Sequence, residues 1–89
     1  MKDLQQYRKQ IDEIDRQIIQ LLAERFLVVK KVWEWKKKHN IPPLQPERWQ
    51  QVLETRKELA SKMWINAQLI EKIWDLIHQE ALRLEKMDK

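Results

Sequence analysis

The chain has 89 residues, enough for one domain but too few for two independent cores. Charged residues make up 36% and apolar residues 43%, with no glycine, three prolines and no cysteine; this balance suits a soluble helical protein, leaves hairpin turns without their preferred residue, and removes disulfides, thiolate metal sites and cysteine nucleophiles together. A net charge of +4 favours anionic partners, nucleic acid and small dianions alike.

No apolar run approaches the ~18 residues of a membrane span, and Met1-Lys2-Asp3 leads directly into a polar helical pattern instead of a signal peptide, so a cytoplasmic protein is expected. From Leu4 to His39 there is neither proline nor glycine. The apolar residues Leu4, Tyr7, Ile11, Ile14, Ile18, Leu21, Val28, Val32 and Trp35 recur with heptad-like spacing and predict one long helix. A second stripe, Ile19, Leu22, Phe26, Val29 and Trp33, widens the apolar face. Such a helix would be roughly 50 Å long against the ~26 Å diameter of a globule of this size, so its stripe cannot be buried by its own chain alone.

The predicted break falls at His39-Asn40-Ile41-Pro42-Pro43, where Asn40 can take the left-handed cap position in place of glycine and the prolines forbid continuation. Gln45-Pro46-Glu47 restarts a helix, with proline in its first turn and an early carboxylate favourable to the dipole. This second helix runs to about Met63, with Trp49, Val52, Leu53, Leu59, Ala60 and Met63 spaced for one buried face. Asn66 is the expected N-cap of a third helix reaching about Lys86, with Leu69, Ile70, Ile73, Trp74, Ile77, Ala81 and Leu84 as its stripe. The expectation is a single all-α domain over residues 1–89, its long, short and medium helices forming an intertwined homodimeric bundle. A monomeric three-helix bundle is the alternative.

Arg25 lies on the line shared by Leu4, Ile11, Ile18 and Val32, which places a permanent cation where the pattern expects carbon. Lys36 follows eleven residues later, ~20° around the helix and ~16 Å along it, so the two cations border one space. Arg8 lies ~25 Å before Arg25 and is rotated by ~100°, which keeps it out of that space within one straight helix. In an antiparallel dimer the partner's copy of this residue would reach it. Arg48 near the start of the second helix and Glu85 beside Leu84 on the third complete a set that describes a receptor for a compact dianion.

The segment from Arg8 to Arg25, with Ile11-Asp12-Glu13-Ile14-Asp15 and Leu21-Leu22-Ala23-Glu24-Arg25, resembles the all-helical chorismate mutases, as do Lys36 and the connector from Ile41-Pro42 to Pro46-Glu47-Arg48. The resemblance covers nearly the whole chain. It implies a homodimer with two active sites that convert chorismate, a small ring dicarboxylate, to prephenate by a Claisen rearrangement without covalent catalysis. Arg8 of the opposite subunit, Arg25 and Arg48 would bind carboxylates, while Lys36 and Glu85 would donate to the ether oxygen as the C–O bond lengthens. Many relatives carry glutamine at position 85, so Glu85 would have to act as a neutral acid.

Trp49 and Gln45 stand where relatives often place carboxylates that recognise the ring hydroxyl, and Trp49 has only an N–H donor to offer. Ala81 stands where a serine supports a carboxylate. Trp49 reads equally as packing in the second helix or as a wall against substrate. These departures keep a related isochorismate pyruvate lyase, or a mutase of amino-deoxychorismate, as alternatives. A non-catalytic anion- or nucleic-acid-binding module is the reading from another class, carried by Lys30, Lys31, Lys36, Lys37 and Lys38 with Trp33 and Trp35 interleaved. That cluster is read as a solvated helix end, where lysines suit the dipole, so no nucleic-acid partner is expected. His39 reads as a helix-end residue and His78 as a surface or rim residue, and neither has metal-ligand spacing. No metal or organic cofactor is expected.

Overall fold

The proline-free N-terminal stretch forms one uninterrupted helix, as its periodicity requires. The computed structural model describes residues 2–42 and 45–87 and contains α1 (Lys2–Lys38), α2 (Pro46–Lys62) and α3 (Ala67–Met87), with no strand among the described residues. No helix is long and apolar enough to cross a membrane. The ends of α1 and α3 fall within two residues of those expected, and α2 stops one residue earlier. Pro43, part of the expected break, lies outside the described residues.

Without glycine, the chain closes two of its helices with other residues in the left-handed region. Asn40 has φ 54°, and around it the amide of Ile41 donates to the carbonyl of Lys36 at 3.0 Å while that of Asn40 donates to Lys37 at 3.4 Å. This is the paired bonding that ends a helix on a left-handed residue, with asparagine serving as expected. The end of α2 repeats it: Trp64 has φ 62°, Ile65 N–H donates to the carbonyl of Ala60 at 2.9 Å and Trp64 N–H to that of Ser61 at 3.2 Å. A tryptophan there is strained by its Cβ. At the start of α3, Asn66 Oδ1 accepts from the amides of Gln68 at 2.8 Å and Leu69 at 3.2 Å, the expected N-cap. His39 also holds its expected helix-end place: its Nδ1 donates to the carbonyl of Trp35 at 2.8 Å, and its ring stacks on that indole.

α3 packs against both α2 and α1, and Lys57 of α2 reaches Glu71 of α3 at 3.6 Å, whereas the backbones of α1 and α2 do not meet among the described residues. The core is correspondingly small: Trp33, Val52, Ala60, Ile77 and Ala81 are its buried apolar residues. The second stripe of α1 supplies this packing, with Trp33 buried and Leu22, Phe26 and Val29 half-buried, although Ile19 is exposed. The first stripe stays open from Leu4 to Trp35. Periodicity overstated the inward faces of the shorter helices. Leu59 and Met63 of the α2 set, and Leu69 and Ile73 of the α3 set, are exposed, because α3 alone covers α2 and its width ends short of them.

The dimensions reflect this open arrangement. The chain measures 58 × 26 × 15 Å with a radius of gyration of 16.6 Å, where a compact chain of this length has about 12 Å. It exposes 7837 Å², roughly 2,200 Å² more than a folded monomer of its mass presents.

Candidate active site

Because α3 packs against both other helices while the backbones of α1 and α2 do not meet among the described residues, a gap is left above α3. α1 lines it with Arg25, Val29, Val32, Trp33 and Lys36, whose spacing stacks side chains on successive turns of one face. The first two turns of α2 add Arg48, Trp49 and Val52, with Gln45 just before them, and α3 forms the floor with His78, Ala81 and Leu82. The cavity has a volume of about 250 Å³ and is open to solvent on one side.

Six positions expected to meet do so here: Arg25, Lys36, Gln45, Arg48, Trp49 and Ala81. Arg8 does not; it is exposed on the free half of α1, ~25 Å from Arg25. Glu85 is half-buried one turn beyond Ala81 on the same face of α3, outside the lining.

The site is strongly cationic. The half-buried guanidinium of Arg25 is pushed below its ordinary value, first by burial and then by repulsion from Arg56 and Arg48. Arg48 donates to Gln51 Oε1 at 2.8 Å, and among the described residues neither it nor Arg25 forms an ion pair with a carboxylate. Two arginines facing one cavity, neither in an ion pair with a carboxylate among the described residues, make a receptor for an anion.

Two residues of this neighbourhood escaped the sequence reading. Arg56 adds to the field on Arg25 from one turn beyond Val52. His78, read as surface or rim, is half-buried and lines the cavity, where its ring stacks on Trp49 with centroids 4.0 Å apart and planes 15° from parallel. Burial lowers its pKa, Arg25 lowers it further, and Asp75 opposes them. Its signal was the spacing of 78, 81 and 85, which puts all three on one face of α3. Trp49 is both wall and packing residue, half-buried with one face on the imidazole.

Residues 7–86 match the family described as chorismate mutase type II. A T-protein of Haemophilus influenzae is 40% identical over 73 residues, 82% of this chain and 19% of that protein. A bifunctional chorismate mutase/prephenate dehydratase of Aquifex aeolicus is 36% identical over all of this chain and 25% of its own length. A chorismate mutase of Methanocaldococcus jannaschii is 31% identical over the whole chain and 92% of its own length. The chain thus spans a quarter or less of the first two relatives. No solved structure gives a significant match. With the match running from Tyr7 to Lys86 and the archaeal relative aligned over nearly its full length, the chain belongs to the chorismate mutase type II family.

Proposed function

We propose that the chain rearranges chorismate to prephenate, a step of aromatic amino-acid formation, as a homodimer whose two sites each take Arg8 from the opposite subunit. The observation that carries this reading is the meeting of Arg25, Lys36 and Arg48 around one cavity with no carboxylate paired to either arginine. A pericyclic step needs no nucleophile and no cofactor. It needs the flexible side chain held in its reactive conformer and negative charge stabilised on the ether oxygen as the C–O bond lengthens. The forked guanidinium groups of Arg25 and Arg48 suit carboxylates, and the Lys36 ammonium suits a single oxygen. Glu85, on the same face of α3, would join Lys36 at that oxygen once the partner subunit closes the site.

The open stripe of α1 supports the dimer. Leu4, Tyr7, Ile11, Ile14, Ile18 and Leu21 are all exposed along a helix half in which every residue from 3 to 21 is exposed. The excess area of roughly 2,200 Å² per chain corresponds to an interface in the obligate class. An antiparallel pairing of two such rods would carry each Arg8 along the ~25 Å that separates it from Arg25 in its own chain.

The test presents chorismate and isochorismate in parallel and identifies the products. Prephenate from chorismate supports the reading; salicylate and pyruvate from isochorismate would transfer the site to the lyase reaction; neither product would leave it a binding module. Lys36→Ala should lower kcat by about 10²–10³ while the protein stays folded and dimeric.

A further inference from the structure

We propose that His78, seated on Trp49, is the specificity-determining residue that recognises the hydroxyl of the substrate ring. This rests on the reading above, in which the ligand is a hydroxyl-bearing ring dicarboxylate. Arg25, Arg48 and Lys36 answer its acidic ends and its ether oxygen, which leaves the hydroxyl to be matched by the rest of the lining. The aliphatic side chains and Trp33 offer no acceptor, and Trp49 offers only a donor. Gln45 and His78 remain. Gln45 is exposed ahead of α2, whereas His78 is half-buried on the cavity floor.

The stack gives His78 what such a contact requires. Flat on the indole at 4.0 Å, the imidazole uses its face for packing and keeps both nitrogens at its edge. Neither nitrogen forms a hydrogen bond with a described residue. A neutral imidazole carries one donor and one acceptor, the same pair a hydroxyl presents in reverse. Burial and the nearby Arg25 favour that neutral form against the pull of Asp75. An uncharged acceptor also leaves Arg25 and Arg48 to the carboxylates, where an acidic residue on the floor would compete for Arg25.

The experiment measures kcat/KM of the intact protein for chorismate and for an analogue whose ring hydroxyl is replaced by hydrogen. His78→Phe keeps an aromatic ring on Trp49 and removes both nitrogens. It should lower the value for chorismate about 10- to 100-fold and that for the analogue by less than about threefold, which erases the preference for the hydroxyl. An equal fall on both substrates, no fall on chorismate, or loss of the preference in Gln45→Ala instead would overturn the proposal. If circular dichroism shows His78→Phe unfolded, His78→Leu is read by the same criteria. A wild-type protein inactive on both substrates would overturn the mutase reading itself, which separates the two failures.

Discussion

The amide of Ile41 donates to the carbonyl of Lys36 across 3.0 Å, so the hydrogen bond that terminates α1 is anchored on the backbone of the residue whose ammonium serves the cavity. The end of the helix and the placement of that cation are one structural unit. It depends on Asn40 at φ 54°.

Asn40→Ala should therefore destabilise the fold by about 1 kcal/mol, because alanine resists the left-handed region, and should lower kcat more than it raises KM. Asn40→Gly should preserve both quantities. Urea midpoints and steady-state kinetics of the two variants check this.

Trp64 carries the same strain with a side chain that is 96% exposed at φ 62°. Trp64→Gly should stabilise the protein by about 0.5–1 kcal/mol, the relief of ~1–2 kcal/mol being partly offset by the greater freedom of glycine in the unfolded chain. A thermal melt should show a rise of about 2–8 °C with unchanged turnover.

Shared sites make a sharper test of the dimer. Arg8→Ala and Arg25→Ala homodimers should each be nearly inactive. Mixed and allowed to exchange, they form heterodimers in which one site joins the intact Arg25 of one chain to the intact Arg8 of the other. Activity should return to about a quarter of the wild-type value, since half the dimers are mixed and each has one intact site. No recovery after verified exchange would place Arg8 within its own chain's site or outside any.

On the proposed reading Glu85 meets the ether oxygen through a hydrogen bond that an amide can also supply. Glu85→Gln should therefore keep kcat within about threefold of wild type or raise it, whereas Glu85→Ala should lower it about 10- to 100-fold. Wild-type kcat in Glu85→Ala would remove Glu85 from the reaction.

His78 should leave a signature in stability. Its pKa is held below the ordinary 6.5 by burial and by Arg25. Below that value the unfolded chain binds a proton that the folded chain resists, so stability falls as the pH drops through 6.5 toward the folded pKa and is unaffected by this group above it. Urea midpoints from pH 7.5 down to 5.5 should decline in the wild type and stay flatter in His78→Gln.

The helices and most of the cavity were legible because both follow from helical spacing: Arg25 and Lys36 share a face of α1 whatever surrounds it, and Asn40 and Asn66 announce helix ends through backbone chemistry that is purely local. Which stripe would be covered was not legible. Leu22, Phe26, Val29 and Trp33 pack within the chain while Leu4 through Trp35 of the other stripe stay open, and periodicity marks a face without naming its neighbour. Leu59 and Ile73 were misplaced for the same reason. His78 was missed because a histidine beside Ile77 and Gln79 looks ordinary until Trp49, twenty-nine residues away, is laid on its ring.

The backbones of α1 and α2 flank the cavity without meeting among the described residues, and α3 packs against both. A guest with negative groups at both ends would bridge that breach as a strut, drawing Arg25 and Lys36 on one side toward Arg48 on the other. The molecule being transformed would thereby serve as a temporary beam of the architecture, and its departure as product would return the walls to mutual repulsion.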